Sequence, residues 1–287
     1  MNDTRVFSFS SRFSNNAVIV IDALVESDFQ TARHLADDLA PLTLSDGSPY
    51  CRYHKVSTVQ ELLNYLGSIE IECKKGLKPI IHFEAHGSQD AGIQVGEVGE
   101  WLNWNQLSEA LITINVITKN NLGIVMASCF GFYMISSITI EKPSPFYFLI
   151  GSERTVEAGH IDDVMGRFYR KLFDLRSLDD AMTEVQEQFR QFHSERFFCI
   201  AFGKYLKKAC IGKGASTRSE RLLTEVMASG IPKSRENLRK FRRIAKNLIT
   251  SSENQRNAFI RTAQYFLHGK VPMSFDEFER FVKRTDA

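Results

Sequence analysis

In the first two thirds of the chain, short continuous runs of apolar residues alternate with amphipathic stretches. Runs rich in Val and Ile are typical of strands buried on both faces of a parallel sheet. The predicted strands are 17–22, 51–56, 78–84, 122–128, 145–150 and 196–202. The predicted helices between them are 28–39, 104–116, 162–175 and 178–192, and a further helix is predicted to begin at Ser57. This alternation predicts an α/β fold with a mostly parallel sheet covered on both faces.

The composition changes at the segment 212–217, which is rich in Gly, Ser and Thr, and only helical patterns follow it. These predicted helices are 217–229, 233–250, 253–268 and 274–284. Residues 213–287 contain 16 Lys and Arg against 8 Asp and Glu, whereas residues 1–212 contain 20 against 26. We therefore predict an α/β domain over 1–212 and a small, basic, all-helical domain over 213–287.

Several classes of protein do not fit this sequence. No stretch approaches the ~20 apolar residues of a membrane helix, and the N-terminal residues lack the pattern of a secretory signal. The five cysteines are odd in number, widely spaced and without a Cys-x-x-Cys pair, which argues against a disulfide framework or a zinc site. We expect a cytoplasmic protein without a membrane span.

Two predicted strands end in residues that can carry chemistry. The strand 78–84 leads to His86-Gly87-Ser, and the strand 122–128 leads directly to Cys129. Loops at the carboxyl ends of parallel strands form the sites of open α/β sheets, so both side chains should meet at one edge. A cysteine near an imidazole can act as a nucleophile. We predict Cys129 as nucleophile and His86 as base, with the amides of Gly87 and Cys129 stabilising the oxyanion.

Other residues were weighed for the same chemistry. Glu84 is the nearest acidic candidate to orient the imidazole, although a backbone carbonyl could serve instead. His160 is a rival base. Trp101 and Trp104 are expected to pack rather than to bind substrate, and the remaining cysteines are expected to be structural. The chemistry needs neither a metal nor another cofactor.

The order of these motifs resembles a known family. An apolar strand leads to x-His-Gly-Ser, and a second apolar strand leads to Ala-Ser-Cys-x-Gly, with Cys129 43 positions after His86. This order is similar to that of the caspase-like cysteine peptidases. The stretch 148–156, the following helices and Trp101-x-x-Trp104 resemble the bacterial CHAT and separase-related branch. The resemblance covers about residues 15–205. Ala127 and Phe130 depart from the caspase Gln-Ala-Cys-Arg-Gly signature, so aspartate specificity is not implied.

The resemblance implies a fold, an activity and a context. The fold would be a caspase-like three-layer sandwich, and the activity would be that of a regulated cysteine endopeptidase. The family's specificity pocket corresponds to segments that hold Asp22 and Glu153, which would favour a basic residue at the cleaved position. The setting would be bacterial antiviral defence or cell death. The substrate would be a protein, such as a pore-forming protein of the gasdermin type.

Two alternatives stay open. The chain could be a scaffold that keeps the fold without the activity and binds an activator or another partner protein through its C-terminal helices. It could also be a nucleic-acid-binding regulator that acts through residues 213–287. Within them, the basic face of 235–246 is the candidate surface for nucleic acid, an acidic partner or anionic lipid.

Overall fold

The computed structural model describes residues 12–185 and 189–284, and they form two compact units. The first unit contains the described residues up to 139 and those within 143–194, and the second contains 140–142 and the described residues from 195 onwards. The division therefore lies before the composition change at residue 212 from which we predicted the domain boundary.

A mostly parallel sheet forms the centre of the first unit. The strands are, in chain order, β1 (Ala17–Asp22), β2 (Cys51–Lys55), β3 (Pro79–Glu84), β4 (His86–Ser88), β5 (Gly92–Val95), β6 (Glu100–Leu102), β7 (Gly123–Ala127), β8 (Phe148–Gly151) and β9 (Arg190–His193). Six of them form one sheet in the order β2-β1-β3-β7-β8-β9, in which only β9 is antiparallel to its neighbour. The strands β4, β5 and β6 form a separate small antiparallel sheet.

Helices cover both faces of the central sheet. They are α1 (Thr31–Leu39), α2 (Val59–Cys73), α3 (Trp104–Ile117), α4 (Ala158–Leu175) and α5 (Leu178–Ala181). Residues of α1 and α4 share one apolar core with Val18 and Val20 of β1. The alternate residues Ile19 and Ile21 project to the other face and are equally buried. The helices α2 and α3 pack against each other. This arrangement confirms the predicted α/β class with its mostly parallel sheet.

The second unit is helical throughout its described residues. Its helices are α6 (Ser194–Cys210), α7 (Gly212–Ala228), α8 (Arg235–Thr250), α9 (Ser252–Phe266) and α10 (Phe275–Arg284). Aromatic rings from three of these helices form its core, where Phe202 contacts Phe259 and Phe278. In the part of the chain that the structure describes, no helix combines the length and the apolar character that a bilayer crossing requires.

Two predicted elements near the boundary between the units were wrong. The predicted strand 196–202 is helical, because Phe198 and Phe202 lie one turn apart on α6 and both contact Phe259. The predicted helix 178–192 ends early: α5 stops at Ala181, a 3-10 helix covers 182–185, and β9 then pairs with β8. Residues 186–188 of that predicted helix lie outside the described residues.

Candidate active site

The strand register brings His86 and Cys129 to the same level of the sheet. β3 and β7 are parallel neighbours, and Glu84 of β3 lies opposite Ala127 of β7. His86 and Cys129 each follow two residues later. Because the carboxyl ends of parallel strands meet at one edge, the two loops leave the sheet side by side.

The two loops touch through their backbones at Gly87. A Cβ atom on Gly87 would lie 1.9 Å from the carbonyl oxygen of Cys129 and 3.2 Å from the hydroxyl oxygen of Ser128. No side chain fits into that space, so a glycine is required for this approach. The histidine loop therefore packs directly on the cysteine loop.

The cysteine lies at a sharp turn out of β7. Phe130 has a φ of 58°, in the left-handed region that a bulky residue rarely adopts. Its N–H donates to the carbonyl of Arg154 at 3.2 Å, and the N–H of Phe132 donates to Ser152 at 2.9 Å. These bonds tie the turn to the segment that follows β8 and hold the strained residue in place.

The backbone of Val156 contacts the sulfur of Cys129. The sulfur accepts the N–H of Val156 at 3.4 Å and lies 3.9 Å from the carbonyl oxygen of Val156. The N–H of Cys129 itself makes no hydrogen bond to another described residue, so it is available to a developing oxyanion. The thiol is half-buried. No hydrogen bond joins it to the imidazole of His86 in this geometry, and such contacts often tighten only when substrate binds.

An acidic residue that we did not predict in this role orients His86. The Nε2 atom of His86 lies 3.0 Å from Oδ2 of Asp28, and that oxygen also accepts the N–H of Val25 at 3.0 Å. Asp28 lies in the loop after β1, which is the other neighbour of β3 in the sheet. Its position after a strand adjacent to β3 was the signal that could have identified it. While Nε2 contacts Asp28, Nδ1 of His86 has no hydrogen-bond partner among the described residues.

Comparison with known proteins does not assign a family to this geometry. No family model matches the chain. No curated protein sequence is significantly similar to it either.

Glu84, the acid that we considered for orienting His86, is bonded elsewhere. Its Oε1 lies 2.9 Å from Nε2 of His82, and its Oε2 accepts the hydroxyl of Thr31 at 2.8 Å. The other ring nitrogen of His82 lies 3.0 Å from the hydroxyl of Tyr169. All four side chains are buried, so the chain Thr31–Glu84–His82–Tyr169 links β3 to α1 and α4 inside the first unit.

The two acidic residues predicted to bind substrate are already paired. Asp22 is fully buried, and its carboxylate accepts from the hydroxyl of Tyr53 and from Nζ of Lys55. Burial, followed by the hydrogen bond to Asp22, raises the pKa of Tyr53 to about 12. Glu153 is exposed and forms an ion pair with Arg190 at 2.8 Å. Asp22 therefore has no exposed carboxylate to offer a basic substrate residue.

The remaining candidates have structural surroundings. The ring of His160 stacks on Phe189 with centroids 6.1 Å apart. Burial raises the pKa values of Cys51, Cys73 and Cys199 to about 12, so these three thiols stay protonated at neutral pH.

Proposed function

We propose that this protein is a cysteine endopeptidase with a caspase-like first unit, in which Cys129 is the nucleophile. The observation that carries the proposal is the packing of Gly87 on the carbonyl of Cys129. It sets the loop that holds an exposed imidazole against the loop that holds a half-buried thiol, at the carboxyl edge of the sheet. The resemblance of the His-Gly and Ser-Cys-x-Gly motifs to caspase-like peptidases supports the same reaction.

Cys129, His86 and Asp28 then act together in hydrolysis. Nδ1 of His86 accepts the proton of the Cys129 thiol, and the thiolate attacks the scissile carbonyl carbon. His86 returns the proton to the leaving amine, which departs and leaves an acyl group on the sulfur. His86 next removes a proton from water, which attacks the acyl carbon and releases the acid and the thiol. The amide of Cys129 stabilises each oxyanion, and the carboxylate of Asp28 holds the imidazole with its Nε2–H bonded.

The test of this function is a cleavage profile of a peptide library on the full chain. We expect Cys129→Ala to reduce cleavage at least about 10³-fold, because no other described thiol lies at that sheet edge. Cys51→Ala removes a thiol that burial keeps protonated, and it should leave cleavage within about twofold of wild type.

Alkylation gives a second, substrate-independent readout. Iodoacetamide followed by intact-mass measurement should add one group rapidly to the wild-type chain and to Cys51→Ala, and not to Cys129→Ala. A folded wild-type chain that shows neither cleavage nor alkylation dependent on Cys129 would disprove the peptidase proposal.

A second candidate function is nucleic-acid binding by the second unit, which one surface of α8 favours. Residues 195–287 contain 20 Lys and Arg against 9 Asp and Glu. On α8 the exposed side chains Arg235, Arg239 and Arg243 recur at intervals of four residues, and Lys246 extends the same stripe. Such a stripe is complementary to a phosphate backbone.

Salt dependence tests this second candidate. Binding to duplex DNA or RNA at low salt should weaken steeply as salt rises, and Arg239→Ala should reduce the slope of log K against log salt by about one. Arg242→Ala is the matched control, because Arg242 is paired with Glu220 at 2.7 Å and lies off the stripe. If no binding occurs at low salt, this function is excluded.

A further inference from the structure

The small sheet aligns an exposed tryptophan with the candidate base. In the register of the three strands, His86 of β4 lies opposite Gln94 of β5, and Gln94 lies opposite Trp101 of β6. Residues directly opposite each other in antiparallel strands project from the same face. His86, Gln94 and Trp101 therefore form one row across one face of this sheet.

The other face of the small sheet is packed. Its row consists of Gly87, Ile93 and Leu102. Ile93 and Leu102 are buried, and Gly87 abuts the backbone of Cys129. The row that contains His86 lies on the face opposite Ile93 and Leu102, and the side chain of His86 is 56% exposed. Trp101 is 44% exposed.

The two tryptophans differ sharply in their surroundings. Trp104 is buried, and its indole N–H donates to the carbonyls of Ser88 and Gln89, which fixes the turn between β4 and β5. The backbone of Trp101 pairs with Gln94 of β5, whereas its indole makes no hydrogen bond or ring contact with another described residue. Gln94, which separates it from His86, reaches towards the turn between β5 and β6, where a Cβ on Gly99 would lie 2.6 Å from its Nε2. Packing therefore explains Trp104 and does not explain Trp101.

The spacing of the row matches an extended peptide. Neighbouring strands lie about 4.8 Å apart, so the backbones of His86 and Trp101 are about 10 Å apart. An extended chain rises about 3.3 Å per residue. Consider a substrate strand that runs along this row with its scissile bond beside His86. A side chain about three residues from the scissile bond would then lie at the indole of Trp101.

We propose that Trp101 is a substrate-binding residue that receives a large apolar or aromatic side chain of the protein substrate, about three residues from the scissile bond. The inference rests on the proposed peptidase function and adds to it the class of substrate segment. A rigid indole offers a large apolar contact at low conformational cost, and removing it should weaken binding of such a side chain about tenfold. This proposal differs from the sequence-based prediction, which assigned Trp101 to packing.

The test compares the cleavage profiles of wild type, Trp101→Ala, Trp101→Phe and Leu175→Ala. Leu175→Ala is the control, because it truncates another exposed apolar residue, at the end of α4. Two test peptides differ only by Phe or Gly at the position, about three residues from the scissile bond, that Trp101 is proposed to bind. Relative to wild type, Trp101→Ala should lose about tenfold in kcat/KM for the Phe peptide and little for the Gly peptide. Trp101→Phe should retain most of the preference, and Leu175→Ala should behave as wild type.

Two outcomes would overturn the inference, and they are distinguishable. If wild type cleaves peptides through Cys129 and Trp101→Ala leaves the preference at every position unchanged, the subsite is wrong and the peptidase stands. If wild type shows no cleavage that depends on Cys129, the proposed function fails and the subsite with it. Iodoacetamide should alkylate Cys129 at the same rate in wild type and in Trp101→Ala, which shows that the variant keeps its fold and its nucleophile.

Discussion

Replacing His86 with alanine is expected to reduce kcat/KM for a cleaved peptide about 10³-fold, which is the usual contribution of a positioned general base and acid. Asp28→Asn is expected to reduce it by about 10- to 100-fold, because the amide keeps the contact with Nε2 and loses the charge that favours the imidazolium. The loss should appear in kcat, with KM close to that of wild type, since Asp28 contacts the imidazole at 3.0 Å and acts through it.

Glu26→Gln is the matched control for Asp28→Asn. Glu26 lies in the same loop, is exposed, and pairs with Arg33 at 3.2 Å. Its replacement should leave kcat unchanged. If Asp28→Asn behaves like Glu26→Gln while His86→Ala loses activity, the carboxylate does not orient the base. If His86→Ala retains full activity with Cys129 still required, the assigned base is wrong.

Glu84→Ala is expected to lower the free energy of unfolding by about 3–5 kcal/mol, because it removes one partner of a buried ionisable pair. Glu84 is 1% exposed and holds both His82 and Thr31. The substitution leaves the imidazole and the hydroxyl buried without that acceptor, and each such group costs about 1–3 kcal/mol. A domain is stable by only about 5–15 kcal/mol in total, so this loss should be readily measured.

Urea unfolding followed by tryptophan fluorescence measures this change in the first unit, where both tryptophans lie. Glu72→Ala is the control, because Glu72 forms a surface ion pair with Arg52 and should contribute no more than about 1 kcal/mol. Equal losses for Glu84→Ala and Glu72→Ala would show that the buried chain from Thr31 to Tyr169 does not stabilise the fold.

Strong local patterns were enough to predict most of the first unit. The run 17–22 became β1 with the predicted bounds, and the helix predicted over 104–116 differs from α3 by one residue. Continuous apolar runs and a 3.6-residue period are properties of neighbouring residues, so they survive in the folded chain. The positions of His86 and Cys129 followed from the same signal, since each comes just after such a run.

The two wrong elements were predicted from local patterns that contacts with distant residues override. Val185, Phe189 and Phe192 recur at helical spacing. Phe192 nevertheless lies on the strand β9, where it pairs with Leu149 of β8. The aromatic run from 197 to 202 reads as a strand, yet it is helical because its rings meet Phe259. In both cases the deciding contact comes from a residue distant in the sequence, and such contacts override local propensity.

By itself, the sequence determined the class of fold, most strand and helix positions in the first unit, and the two loops that could carry a thiol and an imidazole. Only the tertiary structure decided which acid reaches His86, that Asp22 and Glu84 are buried in other pairs, and that Trp101 stands in line with His86. The physical reason is that hydrophobic periodicity is encoded within each segment. The partner of a polar side chain depends instead on strand order and register, which arise only when distant segments pack together.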